Sequence, residues 1–439
     1  MDKFKHLWSN LRSNFWFMPS LIVLASIALA VALIQADSAG SDRWLNQWPR
    51  LFGAGAEGAR GMMSTIAGSM MSVVGVSFSM ILVVLALASS QYTSRILRNF
   101  MRSRVTQVVL GIFAGIFTYC LIVLRTIRSG DEGAFVPNLA VFFGFVLALG
   151  GVGALMFFIH HIASSIQASS IIASITKETN ATIDLLFPEK LGQSPDDDDE
   201  QIPRPLAKRN WRVIQSKESG YIQSVNNTGL LHLARDWKTV VRIERGIGEF
   251  VVQKTPLVSL AMEEQPDQKT ISSLQEAFSI SRFRTVEQDP AFGIRQIVDV
   301  GLKALSPGIN DTTTAVTCVD YLTAIMALIT PRQIPSSHLY EEGELLVIAK
   351  GSSFEGLLSE SFDQIRNNAN GNVAIILRML DSFQILAGLT TSPQRRRALL
   401  EQVELIAELV ERTVESTYDR VRIETWLVRV RETLETEHA

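Results

Sequence analysis

Residues 136–159 read VPNLAVFFGFVLALGGVGALMFFI, an apolar run without a charged side chain. A bilayer core about 30 Å thick is crossed by roughly 20 helical residues, so this run is long enough to span. Working outward, three more stretches meet the same test: Phe15–Ala36, Met62–Ser89 and Val108–Leu124, none with a charge in its middle. A cleaved signal peptide does not suit the first, because its apolar run exceeds the usual length and no small-residue cleavage site follows. The expected architecture is a membrane α-helical region of four transmembrane helices followed by a large soluble part.

Charge supports the division. The first 165 residues hold twelve Lys/Arg and six Asp/Glu, while the whole chain of 439 residues carries a net −3. A basic membrane region therefore precedes an acidic remainder. Mean hydropathy is +0.19 although 19% of residues are charged, which again points to two regions of different character. The acidic balance gives no reason to expect nucleic acid as a partner. Cys120 and Cys318 are too few and too isolated for a disulfide framework or a metal set.

The short connections set the orientation. Lys3, Lys5 and Arg12 precede the first span, and Arg95, Arg98, Arg102 and Arg104 lie between the second and third with no acid among them. The other two connections are balanced in charge. The positive-inside rule then puts both termini and the basic loop in the cytoplasm. Trp8, Trp16, Trp44 and Trp48 fall where interfacial aromatic residues are expected.

On the second span Thr65, Ser69, Ser72, Gly75 and Ser79 recur at helical spacing. They are either a packing face, since helix association in lipid relies on small residues, or the lining of a polar pathway. Gly111 and Gly115 on the third span, and Gly144, Gly150, Gly151 and Gly153 on the fourth, read as packing positions. No ionisable residue marks the membrane interior. From His160 and His161 onward the sequence HHIASSIQASSIIASIT has no helix stop. It predicts a helix continuing out of the membrane, with Ile162, Ile166, Ile171 and Ile175 on one side and small residues free to bundle with neighbouring copies.

Gly192 to Pro203 includes Asp196-Asp197-Asp198-Asp199-Glu200 between Pro and Gly residues and reads as a solvated linker. The spacing is wrong for an EF-hand. Strand character follows at 211–215, 220–225 and 239–243, with a short helix at 228–237. This stretch resembles the hammerhead or barrel-sandwich module of lipoyl carriers and membrane-fusion adaptors. It has no counterpart of the carrier lysine, so no prosthetic group is expected. The expected domains are 1–163 (four spans), 164–203 (helix extension and acidic linker), 204–265 (small β-barrel-like module) and 266–439 (mainly helical), the last three forming a cytoplasmic α+β part.

The sharpest local signal is PAFGIRQIVDVGLKALSPGINDTTTAVTCVDYLTAIMALIT, from Pro290 to Thr330. Asp289 is placed to cap a first helix with Pro290 in its first turn, and Ser306-Pro307-Gly308 ends it. Asn310 or Asp311 caps the next. Arg295, Asp299 and Lys303 form one stripe, and Thr313, Thr317 and Asp320 another. Facing each other beside Ser306, Asn310 and Asp311, the two stripes would make a polar site with helix N-terminal amides suited to an anion. Ordinary i,i+4 ion pairing on a solvated surface accounts for the same spacing. No nucleophile–base pair, metal set, phosphate loop or paired catalytic carboxylates is legible, which points away from an enzyme and from a cofactor.

The stretch FGIRQIVDVGLKALSPGINDTTTAVTCVDYL resembles the signature of a large bacterial family of predicted membrane proteins of unknown function. Its members read ALSPGINDPxTA at the turn, where this chain has Thr312 in place of Pro. Residues 90–125, SQYTSRILRNFMRSRVTQVVLGIFAGIFTYCLIVLR, resemble the family's other hallmark. The resemblance implies a multi-pass protein of the bacterial cytoplasmic (inner) membrane and carries no activity with it. From the residues themselves, the leading expectation is a homo-oligomeric channel or transport protein with a cytoplasmic assembly or regulatory domain, passing an ion. The alternative is a membrane-anchored sensor or scaffold that binds a small anion on its cytoplasmic domain.

Overall fold

The computed structural model describes residues 16–39, 55–91, 104–128, 135–187, 210–341 and 343–435. It divides into two compact units, residues 1–167 and 168–439. The chain is mostly helical, with a sheet-containing portion in the second unit.

The first unit holds α1 (Phe17–Ser38), α2 (Ala56–Gln91), α3 (Arg104–Thr126) and α4 (Asn138–Ser165). Each is long and apolar enough to cross a membrane. The third is the hub and packs against the other three. Met63, Met70, Phe113, Ile116, Tyr119 and Phe158 form the core between them. Glycine permits the closest approaches. A Cβ on Gly111 would lie 2.9 Å from the Pro19 backbone, and one on Gly115 would lie 2.5 Å from Ser26 Oγ. Contacts between helices in lipid depend on such small residues. Gly144 and Gly151 are likewise covered, whereas a Cβ on Gly150 or Gly153 would meet nothing.

The expected uninterrupted helix after the fourth apolar stretch is corrected. α4 ends at Ser165, a turn occupies Ile166 and Gln167, and α5 (Ala168–Leu186) begins anew. No Gly or Pro marks this break, so sequence stop signals could not find it. The face of α5 also differs from the expectation. Ile172, Ile175, Thr176, Thr179, Thr182 and Ile183 are its buried residues, and Ile171 is not among them.

The second unit is built on two sheets and a set of helices. Its strands are β1 (Trp211–Gln215), β2 (Gly220–Val225), β3 (Val241–Ile243), β4 (Phe250–Val251), β5 (Pro256–Ala261), β6 (Phe278–Ser281), β7 (His338–Glu341) and β8 (Glu344–Ile348). One sheet runs β1-β5-β3-β8-β7 and the other β4-β2-β6. All pairings are antiparallel except β3 with β8. The strands are therefore not a closed barrel confined to 204–265. An edge of β3 is filled in parallel by β8, and the edge of β2 by β6, both from later in the chain. An unpaired strand edge needs a partner, and which segment supplies it is a long-range matter. Ile222, Leu230, Val241, Val258, Leu260 and Val347 fill the shared core with α6 (Asn227–Asp236).

The helices α7 (Gln268–Glu276), α8 (Pro290–Leu305), α9 (Thr312–Ile329), α10 (Phe354–Asn368), α11 (Val373–Ala387), α12 (Pro393–Thr413) and α13 (Thr417–Glu435) complete it. α8 and α9 pack on each other and both pack on α5. α9 is the fifth helix long and apolar enough to cross a membrane. Its apolar residues Cys318, Val319, Leu322, Ile325, Met326 and Ile329 are fully buried in protein, and α8, α5 and α11 surround it.

Candidate functional site

The α8–α9 hairpin forms for the local reasons its sequence gives. Asp289 Oδ1 accepts from the Phe292 amide at 3.1 Å and caps α8, with Pro290 in the first turn. Asn310 takes a left-handed φ of 49°, tolerated by a short polar side chain. The Asp311 amide then donates to the Ala304 carbonyl at 2.8 Å. Asp311 caps α9, accepting from the Thr314 amide at 3.0 Å and the Thr314 hydroxyl at 2.6 Å. The Thr314 hydrogen bonds hold the Asp311 carboxyl below the usual range, the side-chain bond first.

The two polar stripes are placed on separate neighbours. Arg295 pairs with Asp299 at 3.0 Å and with Glu360 of α10 at 3.4 Å. Asp320 pairs with Arg378 of α11, which also holds Asp381 at 2.9 Å. Lys303 is half-buried, and its carbonyl accepts from Ser306 Oγ at 2.7 Å. Thr313 is exposed, and Thr317 turns its hydroxyl back to the Thr313 carbonyl at 3.0 Å. Between the helices the contact is apolar, with Gly301 against Cys318. The structure thus brings Arg295 and Asp299 together and sends Asp320 to a different helix. The Thr314 amide at the start of α9 is already taken by the chain's own carboxylate.

Asp289 is central to a second arrangement that the sequence did not reveal. It is 5% exposed and also pairs with Arg284 at 2.8 Å. Burial pushes its carboxyl up, while Arg284 opposes the shift. Gly248, at φ +82°, lies directly over the pair: a Cβ there would be 2.3 Å from Asp289 Oδ2. Arg332 reaches Asp184 at 2.6 Å and the Phe187 carbonyl at 3.2 Å, tying the end of α5. Arg395, which its run of three arginines suggests is solvated or lipid-facing, is 6% exposed. It donates to the Thr330 carbonyl at 2.5 Å and covers the Phe354 ring.

In the first unit, Asp37 at the end of α1 is buried and accepts from the Leu139 and Ala140 amides, each at 3.1 Å. Tyr119 donates to the Ala140 carbonyl at 2.7 Å, and Arg60 donates to the Ile127 carbonyl at 3.0 Å. Asp37 reads in sequence as one charge of a balanced loop. The available signal was the start of α4, where Pro137 has no side chain able to cap the helix, so another segment had to supply the acceptor.

Thr65, Ser69, Ser72, Gly75 and Ser79 are all exposed on α2, outside the α1–α4 core. Thr65 and Ser72 hydroxyls bond the carbonyls of Gly61 and Gly68 at 2.8 and 3.1 Å. Arg104, the first described residue of α3, is exposed. Arg95, Arg98 and Arg102, the acidic run 196–200, Trp8, Trp44 and Trp48 lie outside the described residues. Among the described residues no group of three or more His, Cys, Asp or Glu side chains is placed to hold a metal ion.

A family described as "Predicted membrane protein (DUF2254)" matches residues 12–384. The chain is 30% identical over 388 residues to uncharacterized protein Mb1321c of Mycobacterium bovis and to uncharacterized protein Rv1290c of Mycobacterium tuberculosis. These alignments cover 86% of this chain and 73% of each relative. No solved structure matches.

Proposed function

The chain belongs to the DUF2254 family of predicted membrane proteins, and from that premise we propose that it is a homo-oligomeric channel or transport protein of the bacterial inner membrane. In this reading α1–α4 span the bilayer with both termini in the cytoplasm. Residues 168–439 form the cytoplasmic assembly or regulatory part. The distribution of Lys and Arg in the short connections supports the orientation, and the protein-buried apolar face of α9 supports four spans instead of five.

The observation that carries the reading is the face of α2. The small residues of α3 and α4 at Gly111, Gly115, Gly144 and Gly151 are consumed inside one chain's bundle. Thr65, Ser69, Ser72, Gly75 and Ser79 are not, and a Cβ on Gly61, Gly68 or Gly75 would meet nothing. A small, hydroxyl-bearing face of this kind is poor surface for lipid and good surface for a second helix. Copies meeting there would enclose the hydroxyls, and a polar pathway between copies is the use that fits a row of them. Reconstitution into liposomes tests this. Flux of ions of one sign, lost in Ser72→Leu, is the expected result; no flux of either sign from folded protein would end the channel reading. The anion-sensor alternative draws on the α9 N-terminus, whose Thr314 amide Asp311 already fills.

A further inference from the structure

A groove of about 470 Å³ opens on the first unit between α3 and α4. Val105, Val108 and Ile112 form one wall, Gly153 and Phe157 form the other, and Arg104 stands at one end. Apart from Arg104 the wall is hydrocarbon and glycine. The groove is open beside Gly153, where a Cβ would have no neighbour within 4 Å. His161 stacks on Phe157 with ring centroids 6.1 Å apart, one helical turn further along α4.

We propose that this groove binds one anionic phospholipid of the cytoplasmic leaflet, an acyl chain lying along α3 and α4 and the phosphate held by Arg104. The proposal rests on the spanning and orientation of α3 and α4 given above. Two observations choose this occupant. The first is length: Arg104 to Ile112 rises about 12 Å along a helix, close to the roughly 15 Å depth of one leaflet of a 30 Å core. The second is polarity, because a cation at one end of an apolar slot is complementary to a headgroup above a hydrocarbon tail. Basic pockets between spans at the cytoplasmic face bind such headgroups.

The full-length protein, purified in detergent and stripped of lipid, is offered phosphatidylglycerol, phosphatidylcholine with the same acyl chains, or inorganic phosphate, and retained adducts are read by native mass spectrometry. Phosphatidylglycerol is expected to be retained over phosphatidylcholine by about fivefold, the worth of one basic side chain at an anionic surface. Arg104→Gln removes that preference and leaves acyl binding. Gly153→Leu, which fills the slot, lowers retention of both lipids, and Val108→Phe does the same from the α3 side should Gly153→Leu fail to fold. Equal retention of the two lipids by the unaltered protein overturns the proposal. So does full retention in a folded slot-filling variant, binding of phosphate alone with the wild-type affinity for the lipid, or a lipid-free dimer that protects the slot. Extraction of native membranes at alkaline pH separates the two readings. A chain that washes off overturns the spanning assignment, whereas a chain that stays but shows no lipid selectivity overturns this site alone.

Discussion

Asp37 shows how much one side chain can organise. Its carboxylate lies at the start of α4, where the Leu139 and Ala140 amides have no partner within their own helix. An anion at a helix N-terminus gains from both the hydrogen bonds and the dipole. Asp37→Ala is therefore expected to lower stability by about 2 kcal/mol, and Asp37→Asn by less because an amide oxygen still accepts. Thermal unfolding in detergent measures this, and identical melting of the wild type and the alanine variant would remove Asp37 from the account. Asp311 caps α9 in an exposed setting, and its carboxyl titrates below the ordinary value of 3.8. A group with a lowered folded pKa adds stability above its unfolded pKa and loses it as pH falls through the folded one. The stability gap between wild type and Asp311→Ala is thus constant at neutral pH and closes only in strong acid. A gap that closed already between pH 8 and 6 would assign the effect elsewhere.

Among the elements, α5 and α8 meet through a contact that admits no extra atom. A Cβ at Gly293 would fall 1.9 Å from Thr179 Oγ1 and 2.9 Å from its Cβ. Gly293→Ala is expected to cost about 1–3 kcal/mol through overpacking, although alanine is the better helix former. Thr179→Ala in the same chain recovers part of that loss, and a destabilisation unchanged by the second substitution would contradict direct contact. α12 carries Arg395 into the interior, where it completes the Thr330 carbonyl and lies on Phe354. Its loss in Arg395→Ala is expected to cost about 2 kcal/mol, the range for hydrogen bonds to charged groups. Denaturant titration checks this, and a change below a few tenths would return Arg395 to the solvated class. The apolar periodicity of these helices was legible because a 3.6-residue repeat is local. The depth of Arg395 was not, because cation burial depends on a carbonyl 65 residues away.

At the scale of the molecule, the proposed topology is open to chemical labelling. Cys120 and Cys318 are both buried, and burial pushes the Cys318 thiol up to about 12, so background reactivity is low. A single cysteine introduced between residues 40 and 54 is expected to react with an impermeant maleimide added outside intact cells. One introduced at exposed Tyr418 is expected to react only after permeabilisation. The reverse pattern would invert the chain. The same scale explains why the polar site expected at the α8–α9 turn reads differently in three dimensions. Helical spacing put Arg295 and Asp299 on one face, and they do pair; it could not say that Asp320 turns to Arg378 on α11, 58 residues onward.

By itself the sequence determined that apolar helices long enough to cross a membrane exist, where a sheet-forming stretch begins, and how the α8–α9 turn is capped. Each of these is written in neighbours within a few residues, because backbone hydrogen bonding inside lipid, strand alternation and helix capping are short-range requirements. Tertiary structure alone decided which small residues are used up in packing and which remain outward, as Gly151 is covered while Gly150 and Gly153 on the same helix are open. It also decided that β8 completes the sheet and that α4 stops at Ser165. The physical reason is the same in each case: burial is a relation between distant segments, and it selects one of several faces that the local pattern leaves equivalent.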